Sequence, residues 1–284
     1  VKISALIPVF NNAYVLEYAL KAAAPFFDEI LVYDDASTDH SVDVVERYTN
    51  IYSNIRLYKG NSPQVGPAEA KTRLALKTKS HHLFALDADD VLIETKIDEL
   101  REYAVSKRKF GQFRLCEMMG DFYHTTQRLR HRDRSHSYIY RTQSTDVRWF
   151  KEGHKGLIVE HPWGQNHIIP RGPHFFHLKL VKPDWRLVEG RKRNMWSYLG
   201  DPNRRGSLHD VLKGMSWDEI HADALKIFTS GGTNTILPTY LAPINPDAPR
   251  RPQVILNDLP GRFRVIYEDG KVVDRIDMED PHED

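Results

Sequence analysis

Four short apolar runs, at residues 3–9, 29–33, 55–58 and 82–87, recur through the N-terminal part of the chain, and the stretches between them read differently. Residues 14–27 carry Val15, Leu16, Ala19, Leu20 and Ala23 at helical spacing, and residues 40–49 do the same with Val42, Val45 and Tyr48. Residues 68–78 and Glu94 to Val105 read as two more helices. Strands joined by helices of this length pair in parallel through crossovers. The predicted class is therefore α/β, a mostly parallel sheet with helices on both faces. Such sheets collect their ligands beyond the carboxyl ends of the strands. In this chain the polar clusters Asn11-Asn12, Asp34-Asp35 and Asp87-Ala88-Asp89 all fall at those ends.

The last of these is the sharpest. Leu83-Phe-Ala-Leu runs directly into Asp87, Asp89 and Asp90. Neighbouring carboxylates repel, so the cluster calls for a cation, a positive substrate or bulk water. Solvated acids at a capped helix start are the plainer alternative. For Asp34 and Asp35 that alternative is capping of the helix at 40–49, but Ser37, Thr38 or Asp39 can supply the cap without them.

Four stretches taken together resemble glycosyltransferase family 2. They are Ile7-Pro-Val-Phe-Asn11, Val32-Tyr-Asp-Asp-Ala-Ser-Thr-Asp39, Gly66-Pro-Ala-Glu-Ala-Lys-Thr-Arg73 and Leu86-Asp-Ala-Asp-Asp90, and both their order and their spacing fit across residues 2–110. The resemblance implies a GT-A fold, a Rossmann-like mostly parallel sheet, and transfer of a sugar from a nucleoside-diphosphate donor, UDP-linked by expectation, to an acceptor hydroxyl with inversion. It implies a Mn²⁺ or Mg²⁺ ion held by the Asp-Ala-Asp motif, with Asp89 the principal ligand. Asp87 would touch the ribose or reach the metal through water, and Asp90 would orient either group. A hard cation with oxygen ligands suits a leaving diphosphate. Pro8, Val9, Phe10 and Asn11 would wall the donor pocket, Asp34 and Asp35 would read the nucleoside, and Gly66, Lys71 and Ala88 would complete the donor site. Two departures stand out. Ala36 replaces the usual Gly, and Lys71 stands where Arg is usual, keeping the charge but not the planar fork.

Beyond residue 115 the alternating pattern loosens. His154, His161, His167, His174 and His177 crowd one segment, and the resemblance makes His177, in Pro173-His-Phe-Phe-His-Leu-Lys179, the late metal ligand. The general base must reach the acceptor hydroxyl. Glu160 and Asp146 are the candidates, with Asp184 behind them. Six Arg and Lys151 lie within residues 128–151, which suits a phosphate clamp, a track for a nucleic-acid acceptor, or simply a solvated loop. Trp163, in Pro-Trp-Gly, is a candidate sugar platform. The acceptor class stays open among saccharide, small molecule and nucleic acid. The organisation expected is a donor half at 1–115, an acceptor half at 116–183, and an extension at 184–284. That extension would hold helices, a Pro-rich arm and a closing hairpin around Glu268-Asp269-Gly270.

Composition excludes several other classes. The 284 residues carry a net charge of only +1, so no global field favours nucleic acid or an anionic surface. The single Cys116 rules out an intramolecular disulfide framework and fits a reducing, cytoplasmic location. No apolar run nears the roughly 18 residues a spanning helix needs, and Val1 to Pro8 reads as a strand rather than a leader. A nucleotidyltransferase would favour a Gly-rich basic loop after the first strand, where this chain has Phe10-Asn-Asn-Ala. A non-catalytic nucleic-acid module would rest on the Arg-rich stretch alone.

Overall fold

The computed structural model describes residues 2–61, 65–78, 80, 82–106, 110–113, 115–118, 124–126, 137–141, 149–150, 158–159, 167–168, 174–178, 181, 187–188, 214–229, 241–243, 263–268 and 271–277. The chain forms two compact units. The first holds residues 1–116, 133–177 and 249–256, and the second residues 117–132, 178–248 and 257–284.

The expected alternation is present in the first unit. β1 (Ile3–Val9), β2 (Glu29–Asp34), β3 (Ile55–Lys59) and β4 (His82–Ala85) are joined by α1 (Ala13–Ala23), α2 (Ser41–Ile51) and α3 (Pro67–Ala75). β1 pairs in parallel with both β2 and β4, and β2 pairs in parallel with β3. Then follow β5 (Asp90–Leu92), a short 3-10 turn (Glu94–Lys96) and α4 (Ile97–Val105). Next come β6 (Phe110–Phe113) and β7 (Leu115–Glu117). β8 (His124–Thr126) belongs to the second unit; β9 (Ser137–Arg141), β10 (Trp149–Phe150), β11 (Ile158–Val159), β12 (His167–Ile168) and β13 (Phe175–His177) return to the first. The main sheet runs β12-β6-β9-β4-β1-β2-β3, with β9 antiparallel to its neighbours β4 and β6. The fold class is thus the expected α/β, a mostly parallel sheet with one reversed strand.

Alternation along the strands explains the two apolar layers. Leu31 and Tyr33 on β2 and Leu83 and Ala85 on β4 point to one face, where they pack with Leu6 against Ala70 and Leu74, one turn apart on α3. Phe84, between Leu83 and Ala85, points the other way. Its ring lies 5.3 Å from Phe27, 5.4 Å from Phe113 and 5.5 Å from Phe175, with all four side chains buried. Offset and edge contacts at such distances favour a fixed packing arrangement. Phe175 belongs to β13, so this cluster seats the strand that carries His177.

In the second unit α5 (Trp217–Thr229) packs on β16 (Lys271–Asp277), which forms an antiparallel hairpin with β15 (Phe263–Glu268), as the sequence predicts. β14 (Leu241–Pro243) pairs with β8. Among the described residues no helix is long and apolar enough to cross a membrane.

Candidate functional site

The parallel register aligns the strand ends. Val9 lies opposite Asp34, and Asp34 opposite Lys59, so the loops after β1, β2 and β3 leave from one rim, and β4 delivers Asp87 beside β1. Asn11 sits fully buried there at φ 48°, in the left-handed region that Asn tolerates better than most residues. Its side-chain Oδ1 accepts the Thr38 N–H at 2.8 Å, and its backbone N–H donates to Ser37 Oγ at 3.0 Å. Asp39 accepts N–H groups from Ala13 and Ser41, the first residues of α1 and α2, at 3.1 and 2.9 Å. One carboxylate thus satisfies open donors on two helices. Asn11, expected to wall the donor pocket, fastens the β1 loop to the β2 loop.

The two acids after β2 divide. Asp35 spends both oxygens on backbone, accepting Val65 N–H at 2.8 Å and Gly66 N–H at 2.7 Å. It therefore fixes the entry to α3, where Gly66 turns at φ 84° and Pro67 opens the helix. Asp34 Oδ2 accepts the Ser37 N–H at 3.1 Å, and among the described residues its buried Oδ1 has no hydrogen-bond partner. Burial raises the Asp34 pKa above the ordinary range; the nearby Asp39 and Asp35 charges add to this, and the bonds from Ser37 oppose it. Ala36 lies at φ 61°, which explains why Gly is usual there: a Cβ in this region costs on the order of 1 kcal/mol. Gly60, which the sequence did not single out, is held by close approach. An added Cβ would stand 2.6 Å from the Tyr33 hydroxyl and 2.9 Å from the Asp34 carbonyl.

The Asp-Ala-Asp cluster also divides. Asp87 turns to Lys71, whose ammonium donates to its Oδ1 at 2.7 Å. Lys71 is only 1% exposed, so its ammonium is a buried counter-charge to Asp87. Asp89, Asp90 and His177 converge, offering two carboxylate oxygens and an imidazole nitrogen within 4.8 Å of one another, all buried. The metal set expected from sequence was Asp87, Asp89 and His177; of these, Asp89 and His177 lie together with Asp90, while Asp87 faces Lys71. The reason is the strand register. β13 runs antiparallel to β5 and sets His177 directly opposite Asp90, while Lys71 already claims Asp87. His174, three residues earlier, has a different partner, with Nε2 at 3.1 Å from Glu99, and its carbonyl accepts the Ile93 N–H at 2.9 Å. It pins the start of β13, so only one of the two histidines reaches the cluster.

Pro8, Val9 and Phe10 line the end of β1, with Val9 buried, and Ala88 is buried in the turn between β4 and β5. Glu160, Asp146, Asp184 and Trp163 lie outside the described residues. The donor set of the cluster, two carboxylates and one imidazole, fits a hard or borderline divalent cation such as Mg²⁺ or Mn²⁺.

The fold is thus a mostly parallel α/β sheet whose rim gathers acids, with a buried Asp-Asp-His cluster that could hold a divalent cation. The glycosyl transferase family 2 model matches residues 4–158, more than half of the chain. The chain belongs to that family.

Its relatives include the poly(ribitol-phosphate) β-glucosyltransferase of Bacillus spizizenii, 28% identical over 124 residues, 42% of this chain and 19% of that protein. The cholesterol galactosyltransferase of Borreliella burgdorferi is 28% identical over 102 residues, 35% of this chain and 28% of its own length. The matched stretches span between 19% and 50% of the curated relatives' lengths. Among solved structures, S. aureus TarS residues 1–349 is 16% identical and covers 80% of each chain at a TM-score of 0.46.

Proposed function

We propose that this glycosyltransferase is metal-dependent and moves a sugar from a nucleoside-diphosphate donor, UDP-linked, to an acceptor hydroxyl with inversion. The observation that carries the reading is the buried convergence of Asp89, Asp90 and His177 on the strand rim that also holds the unpartnered Asp34 oxygen. Asp89 and His177 would hold Mn²⁺ or Mg²⁺, which supplies positive charge to the departing diphosphate. Asp34 Oδ1 would accept an N–H or O–H of the nucleoside, a match for a carboxylate already kept from water. Asp35 and Gly66 shape the loop beside it, and Lys71 holds Asp87 in place at the rim. Glu160 or Asp146 would take the acceptor proton. The acceptors named for the relatives, a ribitol-phosphate polymer and a sterol, are both hydroxyl compounds, and the Arg-rich 128–151 stretch favours the polyanionic kind here. A cytoplasmic site of action suits the single cysteine.

The test is a screen of nucleotide sugars by donor hydrolysis, with and without chelator, followed by mass spectrometry of products formed on candidate acceptors. Chelator-insensitive hydrolysis would contradict the metal reading. No turnover of any UDP-sugar, with turnover of another nucleotide sugar, would contradict the donor assignment.

Asp34 gives a second and separable check. Its raised pKa means that the native state holds the proton more tightly than the unfolded chain does. Stability therefore falls as pH climbs from the ordinary value of 3.8 through the raised one, and the cost is fully present above it. Asp34→Asn keeps an oxygen for the Ser37 N–H and removes the buried charge. The variant should melt higher than wild type at pH 7, with the gap closing below the ordinary carboxylate pKa. It should bind UDP about tenfold or more weakly, the scale of a lost charge-assisted hydrogen bond. Thermal melts across pH and calorimetric UDP titration measure both; a lower melting temperature with unchanged UDP affinity contradicts the assignment.

A further inference from the structure

Asp90 is the fully buried member of the acidic cluster. Its Oδ1 lies 2.7 Å from His177 Nδ1, and its Oδ2 accepts the Asp87 N–H at 3.4 Å. Asp89 Oδ1 stands 3.6 Å from the same ring nitrogen, beyond hydrogen-bond range. The two neighbouring carboxylates therefore have different relations to the histidine. The buried one grips the ring from the facing position of the β5–β13 pair, and the other lies beside it. A neutral imidazole has one N–H and one lone pair, and the nitrogen that donates to a carboxylate determines which nitrogen can ligate.

Building on the metal-dependent reading above, we propose that Asp90 is a positioning residue: it accepts the Nδ1–H of His177, fixes the ring plane, and places the lone pair on Nε2. Asp89 then supplies the carboxylate that meets the cation. Three features support the division. Asp90 is anchored to backbone on one side and to the ring on the other, the register sets it opposite His177, and its complete burial leaves it no hydration to exchange. Partners of this kind orient metal-bound histidines, and their loss commonly weakens metal affinity about 10–100-fold without abolishing it.

A double-mutant cycle on the full chain tests this, with Mn²⁺ affinity read by electron paramagnetic resonance and kcat read at saturating Mn²⁺. Asp90→Ala should weaken Mn²⁺ binding about 10–100-fold, and most of its kcat should return when Mn²⁺ is raised. Asp90→Asn, whose amide oxygen can still accept the Nδ1–H, should lose less, and it carries the comparison should the alanine variant not fold. Adding Asp90→Ala to His177→Ala should weaken Mn²⁺ no further, because Asp90 acts only through the ring. Unchanged Mn²⁺ affinity in Asp90→Ala overturns the proposal. So do additive losses in the double variant, which would make Asp90 a direct ligand. Absence of Mn²⁺ binding by the wild type is a different result; it removes the metal reading itself, and the positioning role with it.

Discussion

Asp89→Ala is expected to lose about three orders of magnitude in metal-dependent turnover, in both donor hydrolysis and transfer, while remaining folded. In the proposed reaction the bond from the sugar to the diphosphate breaks, and negative charge accumulates on the departing phosphate oxygens. A divalent cation there is worth several kcal/mol in the transition state, and each ~1.4 kcal/mol is tenfold in rate. Removing the carboxylate that meets the cation forfeits most of that. Stability should move the other way or not at all, because Asp89 sits beside the buried Asp90, and taking away one of two adjacent like charges relieves repulsion. UDP affinity without metal should survive, since the nucleoside contacts fall to the β2 rim at Asp34. The measurements are steady-state kinetics with Mn²⁺, a thermal melt, and UDP titration in chelator. Wild-type turnover in this variant would remove Asp89 from the site; a collapsed melting temperature would instead assign it a structural role.

The core alternation was readable because burial on both faces leaves few polar positions in a parallel strand. β1, in which every residue but Pro8 is buried, follows the apolar run 3–9. The rim was readable for the same reason, since apolar runs end where the sheet ends. What each rim side chain touches was harder to read. Asp34 and Asp35 are adjacent and chemically identical, yet one clamps the Gly66 turn and the other keeps an unpartnered oxygen. That difference depends on where the loop at 65–66 returns in space, which local spacing does not encode. Which partner Asp87 and Asp90 each face was unreadable for a similar reason. The choice depends on Lys71, from a helix sixteen positions earlier, and on His177, eighty-seven positions later. β9 was missed because this reversed strand, Ser137-Tyr-Ile-Tyr-Arg141, lies inside an Arg-rich stretch whose charge dominates its pattern. The departure at Ala36 did carry a structural message, since a position that favours Gly implied the positive φ found there.

The Lys71–Asp87 pair predicts an asymmetry that separates a structural counter-charge from a metal ligand. Lys71 is 1% exposed, whereas the Asp87 side chain keeps 35% of its surface in solvent. Asp87→Ala strands an ammonium in the interior, which should cost about 3 kcal/mol of stability or more, the scale of a buried pair broken from one side. Lys71→Met removes the buried charge and fills its volume, leaving a carboxylate that water can still hydrate, so its cost should be nearer ~1 kcal/mol. The double variant should then be more stable than Asp87→Ala alone, because the second change removes the charge that the first left unpaired. Urea denaturation of the three variants at one temperature reads all of this, and equal single losses that simply add would show that the ammonium escapes to solvent. Mn²⁺ affinity supplies the functional half. With Asp87 engaged by Lys71 and the cation held at Asp89 and His177, Asp87→Ala should bind Mn²⁺ within a few-fold of wild type under conditions where it is folded. Loss of Mn²⁺ binding in that variant, to the degree expected for Asp89→Ala, would mean that Asp87 leaves its lysine and joins the cation when the donor site is loaded.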